Sequence, residues 1–73
     1  MERFLLFIRD DEANDVADIH PDEPSARKAL VAYVRRRDRE RGRPAPISDD
    51  AAIASYFKAE GTLYAIARVA PAA

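Results

Sequence analysis

The chain has 73 residues, which is enough for one small domain, and its formal net charge at pH 7 is −1. Hydrophobic residues make up 48 % of it, but many are alanines, so we expect a thin core and limited stability. The absence of cysteine excludes disulfides, thiolate catalysis and cysteine-ligated zinc. No apolar run reaches the ~20 residues that span a bilayer, and the N-terminal run is too short for a signal peptide. We therefore expect a cytoplasmic protein.

Charge is unevenly distributed along the chain. Residues 1–24 carry eight acidic and two basic side chains, whereas residues 25–46 carry eight basic and two acidic ones. Such an asymmetry indicates either an interaction surface or two segments that neutralise each other within one fold. The sequence leaves both interpretations open.

Two strands are predicted in the first twenty residues. An apolar run bounded by charges, Phe4 to Ile8, is typical of a central strand, which we place at residues 3–9. Residues 16–20 form a weaker strand, whose charges and following Pro21 suit a sheet edge. The segment between them is rich in turn formers, so the pattern predicts a β-hairpin.

A long helix is predicted over residues 23–41. Asp22 or Ser25 can cap its first N–H groups, and Pro24 is tolerated in the first turn. One apolar stripe recurs at helical spacing along the first part of this segment. It consists of Ala26, Ala29, Leu30, Tyr33 and Val34. Gly42 suits a left-handed helix end, and the prolines that follow cannot continue a helix.

A second helix is predicted over residues 49–60, with Ser48 as its cap and Gly61 just past its end. Its large apolar side chains share one helical face and do not alternate as in a strand. They are Ile53, Tyr56 and Phe57. The alternative is a hairpin in which residues 51–59 pair with the last strand across Gly61.

Residues 62–70 alternate and are rich in strand formers, which predicts a third strand. The chain is then a small α+β domain with the element order ββααβ. We expect a three-stranded sheet in spatial order 2-1-3, with both helices packed on one face. Because two helices reverse the chain twice, the third strand should run parallel to the first.

The face of the sheet that the helices leave open is the predicted protein interface. Small residues suit close helix packing, so we expect the third strand to turn Ala65 and Ala67 towards the helices. The opposite face would then present four large apolar side chains inside a charged border, a pattern that often marks an interface. These four are Leu5, Phe7, Tyr64 and Ile66. The partner would be another protein or a second copy, although a folded-back terminal segment or loop would also cover such a patch.

The end of the first helix is rich in arginine. Beyond Val34 the apolar stripe is continued by Arg37 and Arg41, so we expect this end to project into water. The basic run could contact polyanions such as nucleic acid, although Asp38 and Glu40 interrupt it and offer ordinary helix ion pairs. The candidate polyanion contacts are Arg35, Arg36, Arg37, Arg39, Arg41 and Arg43.

Catalytic and metal-binding patterns are weak. His20 has only Asp18 and Asp22 near it in sequence, which is a poor metal site. Ser25 and Ser48 are better explained as helix caps, and the chain has no glycine-rich phosphate loop. We therefore expect no enzyme, cofactor, metal or small-molecule substrate.

A further alternative is an acidic inhibitor or mimic whose carboxylates engage a basic partner. Its carboxylates would be Asp10, Asp11, Glu12, Asp15 and Asp18.

Overall fold

A computed structural model of the chain describes residues 2–11, 14–44 and 46–69. The elements follow the predicted order ββααβ, and the small α+β fold is confirmed. They are strand β1 (Arg3–Asp10), strand β2 (Val16–His20), helix α1 (Glu23–Glu40), helix α2 (Asp49–Tyr56) and strand β3 (Thr62–Val69). The predicted continuation of β3 to Ala70 lies outside the described residues. Within the described part of the chain, no helix combines the length and apolarity needed to cross a membrane.

The sheet has the predicted order β2-β1-β3, but β3 runs antiparallel to β1. The expected parallel direction is therefore wrong. At 1.5 Å rise per residue, α1 with 18 residues is about 27 Å long, whereas α2 with eight residues is about 12 Å long. Because α2 is too short to carry the chain back along α1, β3 starts near the end of the sheet where α1 finishes.

The junction between the end of β1 and the start of β3 is tight. Asp10 pairs with Thr62, and the neighbouring Gly61 has a φ of +81°. A side chain at Gly61 would collide with the carboxylate of Asp11, as well as strain the backbone. Gly61 therefore belongs to the turn into β3 and does not cap α2.

The core lies between the helices and one face of the sheet, which we call the inner face. In β1 the inner face carries Leu6 and Ile8, both essentially inaccessible to solvent, as the alternation predicts. Leu30 and Val34 of α1 pack against them and are also fully buried. The remaining buried members are two alanines, two tyrosines and one isoleucine, so the core is thin as expected. They are Ala26, Tyr33, Ala52, Ile53 and Tyr56.

Both ends of α1 follow the predicted capping. The Asp22 carboxylate accepts a hydrogen bond from the Ser25 N–H at 2.8 Å. Hydrogen bonding to the Ser25 side chain, and next to its backbone, lowers the pKa of Asp22. At the other end Gly42 has a φ of +68°. Its N–H donates to the carbonyl of Arg39, and the N–H of Arg43 donates to that of Asp38. This is a Schellman ending, for which glycine is the preferred residue.

Helix α2 is present, which decides against the competing hairpin, but it ends at Tyr56 and not at residue 60. The Phe57 ring turns towards β3 and lies 4.9 Å from the ring of Tyr64, centroid to centroid. The chain then has five residues, 57–61, in which to enter the strand. The hydroxyl and N–H of Thr62 both donate to the Ala59 carbonyl and close this turn.

The cap of α2 offers a direct test of this part of the fold. The Ser48 hydroxyl accepts a hydrogen bond from the Ala51 N–H at 3.3 Å. We predict that Ser48→Ala lowers the free energy of unfolding by about 1 kcal/mol, measured by urea denaturation. Ser55→Ala, on the exposed side of the same helix, should leave the midpoint unchanged or raise it. Equal effects of the two substitutions would contradict the assigned start of α2.

Candidate functional site

The face of the sheet turned away from the helices, here called the outer face, is apolar. In antiparallel pairs, directly opposite residues point to the same side of the sheet. The register places Leu5 opposite Ile19 and Ala67, and Phe7 opposite Ala17 and Ala65. Adding the alternate residues of β3 completes the outer face. Its apolar members are Leu5, Phe7, Ala17, Ile19, Leu63, Ala65, Ala67 and Val69.

This arrangement corrects half of the predicted interface. Leu5 and Phe7 lie on the outer face, but Ile66 pairs with Leu6 and Tyr64 pairs with Ile8, on the inner face. Ile66 is half-buried and packs against the core, and Tyr64 stacks near Phe57 at its margin. The assumption that alanines face the helices was wrong, because the thin core needs the bulk of Ile66 to fill the space beside Leu6.

The outer face is accessible to a partner. Ile19, Leu63 and Val69 are 52 %, 46 % and 41 % exposed, respectively, and Leu5 and Phe7 are half-buried by their neighbours. Arg3 and Arg9 mark the two ends of the central strand on this face, and both are exposed. The Arg9 guanidinium lies 6.0 Å from the centre of the Phe7 ring and 3.8 Å from the carboxylate of Asp15. The patch thus has an apolar centre and a charged border.

A buried carboxylate lies at the opposite side of the sheet. Asp10, the last residue of β1, is only 3 % exposed and points to the inner face. The hydroxyl of Tyr33, from α1, donates to Asp10 Oδ2 at 2.9 Å, and the hydroxyl of Tyr56, from α2, donates to the same oxygen. Two guanidinium groups complete the cluster: Arg37 Nε is 3.5 Å from Oδ2, and Arg41 Nη2 is 3.8 Å from Oδ1. We call these five residues the Asp10 cluster.

The Asp10 cluster overturns the expectation that the end of α1 projects into water. Arg37 and Arg41 do continue the apolar stripe, but what they meet there is the carboxylate of Asp10. The side chains of both arginines are less than one-fifth exposed. Arg41 also lies 5.6 Å from the centre of the Tyr56 ring. The helix therefore stays packed on the sheet to its last turn, and Arg37 and Arg41 are structural.

The sequence did contain a signal for this cluster. Alternation along β1 puts Asp10 on the same face as Leu6 and Ile8, and helical spacing puts Arg37 in line with Tyr33. A buried acid opposite a buried base is the expected pairing, because an isolated buried charge is very costly. We missed it since Asp10 was assigned to the turn between β1 and β2.

The other arginines of the basic run divide into two groups. Arg35 donates to the carbonyls of Pro46 and Ile47 and to the carboxylate of Asp49, and it fixes the loop before α2. Arg36, Arg39 and Arg43 face solvent at least in part. Three of the six candidate polyanion contacts are thus used inside the fold.

An open groove runs between β2 and α1, with a volume of about 540 Å³. Its apolar floor includes Val16 and Ala29, and its border carries Asp18 on the strand and Arg36 and Arg39 on the helix. The Arg36 guanidinium lies 5.5 Å from the centre of the Tyr33 ring. The groove is open to solvent.

The weaker candidates from the sequence are dispersed. Asp10 is buried, Asp15 contacts Arg9, and Glu12 lies outside the described residues, so the acidic turn does not present five free carboxylates. The Asp22 carboxylate is occupied as a helix cap. Nε2 of His20 is buried and has no hydrogen-bond partner among residues 2–11, 14–44 and 46–69. Over the same residues, no group of three metal-ligating side chains comes together.

Comparison of the chain with protein-family models, curated proteins and solved structures gave no match.

The Asp10 cluster predicts a large stability effect from a small substitution. Asp10→Asn keeps the shape but removes the negative charge that compensates Arg37 and Arg41. We expect it to lower the free energy of unfolding by about 3 kcal/mol, since breaking a buried ion pair leaves its partners uncompensated. The total free energy of unfolding of a domain of this size is roughly 4–11 kcal/mol.

The matched control is Asp15→Asn, which removes an exposed carboxylate near the same hairpin end. Its loss should change the free energy of unfolding by about 0.5 kcal/mol or less. A difference of less than about 1 kcal/mol between the two variants would contradict the structural role of Asp10.

The two tyrosines predict a loss of stability at high pH. Burial, followed by the hydrogen bond to Asp10, raises the pKa of Tyr33 and of Tyr56 above the ordinary tyrosine value of about 10. The native state therefore keeps protons that the unfolded chain releases above about pH 10. This stabilisation is complete below pH 10 and is lost as the pH rises towards the native-state pKa values. Urea midpoints measured from pH 9 to 11.5 should fall less steeply in Tyr33→Phe than in the wild type, and equal slopes would refute this assignment.

Proposed function

We propose that this chain is a small, non-enzymatic protein-binding domain whose outer sheet face is the contact surface. The observation that carries the proposal is the contiguous apolar patch across all three strands, with exposed Ile19, Leu63 and Val69. An uncovered apolar patch with a polar border is typical of a protein interface. The cytoplasmic location expected from the sequence remains part of the proposal.

Burial of this patch would supply the binding free energy. Each large apolar side chain gains about 1.5–3 kcal/mol when it passes from full exposure to full burial. The outer face offers five large apolar side chains, already partly shielded, so the gain per residue is smaller than that. Arg3 and Arg9 at the ends of β1 would remain at the solvated border and orient the partner.

Two other functions have less support from the geometry. A polyanion site would have Arg36, Arg39 and Arg43 available, because Arg35, Arg37 and Arg41 contact groups of the same chain. An acidic mimic would lack Asp10, which is buried. Both functions would bind through charge, whereas the outer face would bind through apolar contact.

The test is affinity capture from a nuclease-treated lysate with the wild type and a variant of the outer face. Phe7→Asp puts a charge at the centre of the patch without changing the Asp10 cluster. We predict that it abolishes capture of the proteins that the wild type retains. Capture by the wild type should persist when salt rises from 0.1 to 0.5 M, because apolar contacts are weakly screened.

The matched control is Arg39→Gln on the opposite side of the domain, which should retain the same partners as the wild type. Far-ultraviolet circular dichroism should show that both variants are folded. If Arg39→Gln lost the partners and Phe7→Asp kept them, or if moderate salt released them, binding through charge would replace this proposal.

A further inference from the structure

The two edges of the sheet differ in how they are protected from pairing. Strand β2 is short, with five residues, carries Asp18, and is followed by Pro21. Strand β3 has eight residues, of which six are exposed, and Arg68 is its one charged side chain. Edge strands are normally blunted by shortness, charge or proline. Strand β3 has none of these features along residues 62–67.

The helices do not cover the β3 edge. On the inner face, Ile66 packs against the core, but Tyr64 is 41 % exposed and the Arg68 side chain is 64 % exposed. The Arg68 guanidinium lies 3.5 Å from the carboxylate of Glu2, which is itself exposed. In the part of the chain that the structure describes, β3 pairs with β1 on one side, and no other strand pairs with its outer side.

We propose that β3 pairs with β3 of a second copy of this chain about a two-fold axis, to form one continuous six-stranded antiparallel sheet. A second copy supplies a strand of equal length and matching alternation, and a two-fold axis makes the pairing antiparallel as in the rest of the sheet. The inference depends on the edge alone and holds whether or not the outer face binds a partner.

The chemistry of the strand selects one register. Directly opposite residues must share a face, so residues of even number pair with even and odd with odd. With Ile66 on the axis, Tyr64 lies opposite Arg68 of the second copy, a favourable cation–aromatic contact. On the outer face Leu63 then lies opposite Val69, and Ala65 opposite Ala67. This register keeps the two Arg68 side chains apart and uses seven residues of each strand.

Such a pairing would also enlarge the outer face. Three strands at about 4.8 Å spacing span roughly 14 Å, and six span roughly 29 Å. The two apolar patches would join through Leu63 and Val69 into one surface. A single three-stranded face is small against the ~800 Å² per partner of a standard interface, so the doubled face would be the better docking platform.

The first experiment compares, by sedimentation, the purified wild type with two variants that place opposite charges at position 64. The wild type should sediment at twice the chain mass at high micromolar concentration. Tyr64→Lys would place a like charge opposite Arg68 twice per dimer, and we predict that it weakens dimerisation about tenfold or more. Tyr64→Glu loses the same contact with Phe57 but faces Arg68 with an opposite charge, so it should remain dimeric. A monomeric wild type, or equal dissociation of the two variants, would overturn the proposal.

The second experiment uses the absence of native cysteine. In the proposed register the two Ile66 positions are opposite across the axis, at a Cα separation of about 4.5–5.5 Å that a disulfide can bridge. Ile66→Cys should form a covalent dimer under mild oxidation at low protein concentration. Ile19→Cys, a more exposed position on the β2 strand, should not. Cross-linking of Ile19→Cys alone would show that the copies meet elsewhere.

The failure of this proposal and of the proposed function can be told apart. Phe7 lies on β1, away from the β3 edge. The Phe7→Asp variant should therefore sediment as a dimer but no longer capture the proteins that the wild type retains. If Phe7→Asp instead became monomeric and Tyr64→Lys stayed dimeric, the copies would meet through their outer faces and the edge pairing would be wrong.

Discussion

The burial of one carboxylate organises this domain. Asp10 ends the central strand, and its side chain is removed from water at the point where α1, α2 and the start of β3 come together. A buried charge is tolerated only when it is paired and hydrogen-bonded. Here two tyrosine hydroxyls donate to it, and Arg37 and Arg41 supply the compensating positive charge. Each partner is contributed by an element distant in sequence, so the cluster joins the whole inner layer.

The cluster accounts for the packing of the helices. The apolar stripe of α1 ends at Val34, and beyond it the helix meets the sheet through Arg37, followed by Arg41 at its end, both of which lie against Asp10. Helix α2 is short and contributes few core residues, but Tyr56 places its hydroxyl on Asp10 and its ring edge-on to Tyr33. Because the acid-rich first third and the arginine-rich middle meet here, part of the charge asymmetry is neutralised within the fold. The outer face and the β3 edge remain open, which is why both proposals concern those surfaces.

The sequence predicted the local structure well and the long-range geometry less well. Capping residues such as Ser48 and Gly42 act within a few positions, so the elements and their order followed from pattern alone. The direction of β3 depends on the length of α2, and that length depends on Phe57 leaving the helix to meet Tyr64, a contact between elements. The face on which Ile66 lies likewise depends on core packing between elements, because its side chain fills the space beside Leu6. Leu5 and Phe7 lie on the face expected for them, because they share it with Arg3 and Arg9, whose charged side chains require water.

A double-mutant cycle between Asp10 and Tyr56 tests most directly whether the buried carboxylate holds the distant elements together. The free energy of unfolding would be measured for the wild type, Asp10→Asn, Tyr56→Phe and the double variant. The structure predicts a coupling energy of about 1 kcal/mol or more, because both groups belong to one hydrogen-bonded network although they are 46 positions apart. If the two single-variant effects added to that of the double variant within about 0.3 kcal/mol, Asp10 and Tyr56 would be energetically independent. That result would contradict the account.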